Sequence, residues 1–142
     1  MTTSKIITSD EYEDTLGNKR HLIRKDPFNP VLTRHNADGL EYLTFPMLDN
    51  TGLVKNMFTT RLGGVSKGYL ASLNLSTSKG DKPENVQENF RRIAAVIGCQ
   101  PSDFVLSDQT HTTNVMVVTR DDAGKGLTRP RGYSDVDGLI TK

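Results

Sequence analysis

The segment Pro83–Ile97 constrains the fold more than any other part of the chain, because its apolar residues recur at helical spacing. Intervals of three and four residues place these side chains on one face of an α-helix. They are Val86, Phe90, Ile93, Ala94 and Ile97. Pro83 suits the first helical turn, and Gly98 suits a left-handed residue after the last turn. Asp81 and Glu84 have the spacing of a capping box, so the segment predicts a capped amphipathic helix packed on a core.

Short apolar runs elsewhere predict strands. Residues 41–45 are rich in aromatic and β-branched side chains and stop at a proline, and residues 53–60 follow a Gly-containing turn at 49–52. Two such runs joined by a turn are typical of a β-hairpin. Further strands are predicted at 104–106, 114–119 and 138–141, with a loop at 121–133.

The first part of the chain differs from the rest. Residues 1–39 are polar and contain turn dipeptides such as Asp26-Pro27 and Asp38-Gly39. They predict an N-terminal extension that can contain a hairpin. The folded region is predicted over residues 40–142. A chain of 142 residues with 35% apolar and 25% charged residues predicts a single globular domain.

Charge and cysteine content argue against several classes of protein. A formal net charge of +1 without a long run of one sign argues against nucleic-acid and membrane partners. No apolar run has the length of a membrane span, and the N-terminus lacks the apolar core of a signal peptide. The single cysteine, Cys99, cannot form an internal disulfide and is interpreted as a packed structural thiol. We therefore expect a cytoplasmic protein.

A first cluster with chemical potential spans residues 59–66. Here an arginine, Arg61, precedes the paired glycines Gly63 and Gly64. Glycines let the backbone approach a ligand closely, and a guanidinium group binds phosphate or carboxylate in a planar fork. The cluster indicates an anion contact, and the alternative is a plain turn with a solvated arginine.

Two further clusters contain candidate site residues. Ser72 and Asn74 alternate with leucines and share one face of an extended segment, either in a pocket or in an ordinary half-buried strand. Gln109 and His111 stand at the start of a predicted strand, where His111 is either a metal ligand or a hydrogen-bonded surface histidine. A catalytic zinc needs three protein ligands, and the other histidines and Cys99 show no shared spacing with His111.

Taken in order, these clusters resemble the laccase-domain family, which includes multicopper polyphenol oxidases and purine nucleoside phosphorylases. The resemblance covers roughly residues 41–142 and rests on five blocks. These are Phe58-Thr-Thr-Arg-Leu-Gly-Gly-Val-Ser66, Ser72-Leu-Asn-Leu75, Gly80-Asp81 with Pro83 to Arg91, Gln109-Thr-His111, and Asp135-Val-Asp-Gly-Leu-Ile-Thr141.

The resemblance implies an α/β (α+β) fold, a layered α/β/β/α sandwich of the YfiH-like type, of which this chain is about the N-terminal half. It implies zinc, with copper as the alternative metal, and purine nucleoside and phosphate as partners. His111 is then the first metal ligand, and His111 and Arg61 are the expected catalytic residues. Arg61, Ser72, Asn74 and Gln109 are the expected substrate-binding residues. Members are described as cleaving adenosine with phosphate, deaminating it, or oxidising phenols.

The sequence also departs from the family pattern. The family's cysteine and second histidine ligands follow the Asp-x-Asp block, in a part of the family pattern that this chain does not contain. Asn56 and Thr112 stand where many members have a histidine and a glycine. We therefore expect enzymatic activity in the parent protein and little in the isolated chain. The alternatives are a peptidoglycan editing amidase acting on a cell-wall precursor, and a noncatalytic binding or assembly module, with a homo-oligomer as a further possibility.

Overall fold

The structure is a computed structural model, and it describes residues 3–6, 11–13, 19–21 and 32–141. The chain divides into two compact units, Met1–Gly63 and Gly64–Lys142. This division falls after residue 63, and the boundary predicted from the sequence lies between residues 39 and 40. Within the described residues, no helix is both long and apolar enough to cross a membrane.

The described part of the first unit is built from short strands and one short helix. These elements are β1 (Thr3–Ile6), β2 (Glu11–Glu13), β3 (Lys19–His21), β4 (Thr33–Ala37), β5 (Leu40–Thr44), α1 (Pro46–Asp49) and β6 (Phe58–Thr59). One antiparallel sheet has the strand order β1-β4-β5-β6, and β2 pairs with β3. The polar region 1–39 therefore contributes strands, because backbone pairing does not require apolar side chains.

A tight hairpin joins β4 to β5. Asp38 and Gly39 both have positive φ, 51° and 88°, as a two-residue turn of this kind requires. Ala37 pairs with Leu40 and Thr33 with Thr44, and Leu40 is 2% exposed. The turn chemistry predicted for the Asp-Gly dipeptide is therefore confirmed, and it joins two paired strands.

The strand predicted at 41–45 is confirmed one residue earlier, but the strand predicted at 53–60 is wrong except at Phe58 and Thr59. The side chain of Asn56 replaces the expected pairing. Its Oδ1 accepts from the Phe45 N–H at 2.6 Å, and its amide donates to Asp49 at 2.7 Å. Leu53 is 86% exposed, so the loop buries too little apolar surface to form a strand.

The second unit contains the predicted helix, α2 (Pro83–Ile97), together with β7 (Val115–Val117) and β8 (Gly138–Ile140). Short 3₁₀ turns lie at Gly68–Leu70, Pro101–Asp103 and Arg120–Asp122. The helix bounds are confirmed, and Gly98 ends the helix with φ 81°. Its buried residues are Val86, Asn89, Phe90, Ile93 and Ala94. The predicted apolar face is therefore correct, with one polar residue added and Ile97 only half-buried.

The cap predicted for this helix is wrong. Lys82 is the N-cap residue and makes no side-chain cap bond. The Asp81 carboxylate instead accepts from the side chains of Ser66, Asn74 and Asn85, which leaves it no role in a reciprocal bond with Glu84.

The strands predicted at 114–119 and 138–141 are confirmed in shortened form, and β7 and β8 pair in parallel. The strand predicted at 104–106 is wrong. That segment is extended but bonds to an irregular loop, with Leu106 N donating to the Lys125 carbonyl at 2.9 Å. Phe104 packs its ring edge on Phe90 with centroids 5.3 Å apart, which ties the segment to α2.

Candidate functional site

His111 lies in a loop, residues 108–114, that leads into β7; we call it the His111 loop. At its start, Asp108 and Val136 exchange two backbone hydrogen bonds of 3.0 and 3.1 Å. His111 is exposed and has φ 65°, in the left-handed region. A residue with a Cβ adopts this conformation at a cost of roughly 1–2 kcal/mol, so surrounding contacts must hold it.

The carboxylate of Asp137 supplies those contacts. Its Oδ1 accepts from the His111 N–H at 2.8 Å. Its Oδ2 accepts from the Thr112 N–H at 2.9 Å, the Thr112 hydroxyl at 2.6 Å and the Thr110 N–H at 3.4 Å. The Thr112 hydroxyl bond, followed by the backbone bonds, lowers the pKa of Asp137 to about 2. The carboxylate is therefore ionised at neutral pH and binds the loop as a charged acceptor.

Asp135 adds a second set of bonds. Its carboxylate accepts from the Thr110 hydroxyl at 3.0 Å, and its carbonyl accepts from the Asn114 side chain at 2.8 Å. Asp108 forms an ion pair with Arg131 and accepts from the Asp135 N–H at 3.3 Å. The Asp-x-Asp block thus serves as the support on which the His111 loop rests.

The departure from the family pattern at Thr112 also has a structural explanation. A glycine there would lack the hydroxyl that donates to Asp137. Thr112 therefore adds a bond to the same carboxylate that binds the His111 N–H.

A groove of about 760 Å³ in the second unit runs beside this loop. Gln109, Asp108 and Asp137 line it together with Arg131 and Lys79. Its apolar lining includes Phe90, Val105, Leu106 and Leu139. Polar residues make up most of the remaining lining and include Ser76, Ser78 and Ser107, so the groove can accept a polar, hydrogen-bonding ligand.

Ser72 and Asn74 are also in the second unit, where they bind other parts of the chain. The Ser72 hydroxyl accepts from the Gly64 N–H at 3.2 Å. The Asn74 amide donates to Asp81 at 3.1 Å, and its oxygen accepts from the Ser76 N–H at 3.1 Å. These side chains shape the polypeptide around them.

The paired glycines Gly63 and Gly64 of the first cluster lie where other backbone segments leave no space for a Cβ. A Cβ at Gly64 would lie 2.0 Å from the Ser72 carbonyl oxygen, and a Cβ at Gly63 would lie 2.3 Å from Leu40 Cα. Both close approaches are to the chain's own backbone, whereas the sequence suggested close approach to a ligand. Arg61 belongs to the first unit, follows β6 and has an exposed side chain.

Asn89 is the residue that sequence reasoning missed. It is 0% exposed on the apolar face of α2. Its amide donates to the Asn74 carbonyl at 2.7 Å and the Ser66 hydroxyl at 2.9 Å, and its oxygen accepts from the Val65 N–H at 2.9 Å. A polar residue next to Phe90 in an apolar stripe was the available signal, because buried amides occur where they bind backbone.

The donor set does not complete a metal site. Among the described residues, no group of three or more histidine, cysteine or acidic side chains is placed to hold a metal ion. The nearest carboxylate to the His111 backbone, Asp137, is already bonded to backbone N–H groups. Since a catalytic zinc takes three protein ligands, His111 fits as one ligand but not as a site.

Comparisons with known proteins agree on one family. A family model described as multi-copper polyphenol oxidoreductase laccase matches residues 55–142, a range that contains every candidate site residue. A purine nucleoside phosphorylase of Corynebacterium glutamicum is 43% identical over 65 residues, which cover 46% of this chain and 26% of the relative. A purine nucleoside phosphorylase of Deinococcus radiodurans is 42% identical over 80 residues, covering 56% of this chain and 30% of the relative.

Among solved structures, the hypothetical protein YfiH of Bacillus licheniformis matches with a TM-score of 0.61 and 26% identity. The match covers 75% of this chain and 38% of that chain. It confirms the expected mixed α/β fold as part of a YfiH-like fold. Across these three relatives, the chain spans between 26% and 38% of the relative's length.

Proposed function

Because the chain belongs to the multi-copper polyphenol oxidoreductase laccase family, we propose that it carries part of the active site of a purine nucleoside phosphorylase. The observation that carries this proposal is the exposed His111, fixed by Asp137 beside a groove that Gln109 lines. Two curated relatives with the printed name purine nucleoside phosphorylase support the choice of reaction. The single cysteine is in keeping with a cytoplasmic location.

Phosphorolysis sets clear chemical demands. A phosphate oxygen bonds to C1′ of the ribose while the bond from C1′ to the purine nitrogen breaks, and the purine leaves with a proton. The Gln109 amide and the hydroxyl side chains of the groove can bond to the nitrogen and oxygen atoms of a nucleoside, and its apolar residues can contact the purine ring. We propose that Gln109 binds the nucleoside in this groove. A guanidinium group binds phosphate in a planar fork, and we propose an anion contact for Arg61 from its residue type alone. Ser72 and Asn74 then act by shaping the polypeptide around Gly64 and Asp81.

The family name points to metal binding, and we propose zinc as the metal, with His111 as one imidazole ligand. Zinc supplies Lewis-acid chemistry when it is bound by a full ligand set. The described residues provide one ligand of that set, and the remaining ligands would come from outside them.

The test uses the full-length protein as it is expressed in the source cell. Adenosine is incubated with and without phosphate, and adenine, inosine and ribose 1-phosphate are separated by chromatography. We expect phosphate-dependent release of adenine and its loss in His111→Ala. Inosine without phosphate dependence would replace phosphorolysis by deamination, and conversion of only a cell-wall precursor would overturn the nucleoside assignment.

His35 offers a matched control for the histidine substitution. It lies in the first unit, stacks on Tyr42 with centroids 4.7 Å apart and bonds to the Thr44 hydroxyl at 2.9 Å. His35→Gln is expected to retain adenine release. Equal activity in His111→Ala and the parent protein would contradict the proposed role of His111.

A further inference from the structure

The direction of the His111 side chain depends on an unusual backbone conformation. With φ 65°, His111 lies in the left-handed region, and the backbone conformation at a residue sets the direction in which its side chain leaves the chain. Left-handed backbone is unfavourable for a residue with a Cβ, so an isolated loop of this sequence would leave it. Something in the fold must keep His111 there.

One carboxylate contacts the residues on both sides of His111 as well as His111 itself. Asp137 receives the N–H groups of Thr110, His111 and Thr112, using both of its oxygens. Successive backbone N–H groups that converge in this way form a concave anion-binding nest. Here the anion is a side chain of the same polypeptide, 26 residues along the chain from His111.

Asp137 directly precedes strand β8 and is tied to both ends of the His111 loop. Its N–H donates to the Asn114 carbonyl at 3.0 Å, its neighbour Val136 pairs with Asp108, and β8 begins at Gly138. A group on such a support is placed more accurately than a group on a free loop.

We infer that Asp137 is a positioning residue for His111, holding the loop backbone in the one conformation that directs the imidazole toward its substrate or ligand. The functional part of this inference rests on the proposed function, in which the His111 imidazole takes part in the reaction. Asparagine cannot replace Asp137, because its amide offers one acceptor oxygen and turns N–H groups toward the three N–H groups of the loop.

The first measurement is amide hydrogen exchange by NMR on the 142-residue chain. In the parent protein we expect the Thr110, His111 and Thr112 amides to be protected, and in Asp137→Asn to exchange at least tenfold faster. Asp122 provides the matched control, because its carboxylate likewise accepts a backbone N–H, that of Thr119, at 2.8 Å. Asp122→Asn is expected to leave the His111 loop unchanged.

The second measurement is steady-state phosphorolysis by the complete gene product. A misplaced reacting group costs up to about 100-fold in turnover, so we expect Asp137→Asn to lower kcat by 10- to 100-fold while KM for adenosine stays within twofold. A general loss of folding in Asp137→Asn would speed amide exchange throughout the second unit, whereas a positioning role changes exchange only in the His111 loop. Restoration of part of kcat in Asp137→Glu, which keeps both oxygens, would support positioning.

The outcomes separate the two proposals. If His111→Ala abolishes turnover while Asp137→Asn matches the parent in kcat and in amide exchange, the inference is wrong and the proposed function stands. If His111→Ala retains turnover, the proposed role of His111 is wrong. The exchange rates then decide alone whether Asp137 holds the loop, and unprotected amides in the parent protein would overturn it.

Discussion

Replacing Asn89 should cost the second unit more stability than its single amide suggests. The side chain is fully buried, and it joins helix α2 to the two segments that contain Val65 and Asn74. Asn89→Ala removes the acceptor of the Val65 N–H and the donor to the Asn74 carbonyl. The Ser66 hydroxyl keeps Asp81 as its own acceptor, so its loss is smaller.

The expected magnitude follows from those two backbone groups. A buried polar group that loses its partner costs roughly 1–3 kcal/mol, which gives a range of about 2–6 kcal/mol for the pair. Val65 and Asn74 are half-buried, so water recovers part of that cost. We therefore expect Asn89→Ala to lower the free energy of unfolding by about 3 kcal/mol, a large share of the 5–15 kcal/mol typical of a domain.

The assay is urea unfolding followed by circular dichroism at a wavelength that reports the helix. Gln87→Ala is the control, because Gln87 is on the same helix and exposed. Substitutions at exposed positions change stability little, so we expect a change of less than about 0.5 kcal/mol. Asn89→Asp keeps the size and the acceptor for Val65 but places a carboxylate against the Asn74 carbonyl. A loss below about 1 kcal/mol in Asn89→Ala, or a neutral Asn89→Asp, would refute the reasoning.

Three further predictions follow from the same structure. Hydrogen bonds, led by that of Ser66, lower the pKa of Asp81 from 3.8 to about 2, so this carboxylate stabilises the fold above pH 3.8 and the contribution is lost as the pH falls toward 2. The slope of unfolding free energy against pH between 2 and 4 should be smaller in Asp81→Asn. Phe90 is 4% exposed, so Phe90→Ala should lower the unfolding free energy by about 3–5 kcal/mol, whereas Phe58→Ala, at a 62% exposed position, should change it little. Val115 and Val117 are 60% and 71% exposed on β7, so sedimentation should show self-association that Val117→Lys reduces; a monomer at all concentrations would contradict this.

Local signals were sufficient for the long helix. The bounds of α2 follow from Pro83, Gly98 and apolar residues three and four positions apart, and all of these act within one or two helical turns. The segment 53–60 failed for the opposite reason. Its apolar residues satisfied a strand pattern, but the Asn56 amide bonded to Phe45 and Asp49.

For the candidate site, the sequence showed which residue types carry site chemistry, and the structure added which partners each side chain binds. His111 and Gln109 stood out as groups with site chemistry, and both lie on the exposed loop beside the groove. Ser72 and Asn74 stood out in the same way, yet their side chains bond to the chain itself. A hydroxyl or amide that binds a ligand and one that binds backbone look alike in a sequence.

By itself, the sequence determined the family, the long helix and the Asp-Gly turn, because each depends on residue types or on neighbours a few positions apart. Only the tertiary structure decided that Asp137 holds His111 and that Asn89 joins three segments. Those bonds link residues 26 and 24 positions apart for the His111 and Val65 amides. Which partners meet over such distances is settled by packing of the whole unit, and no local pattern records it.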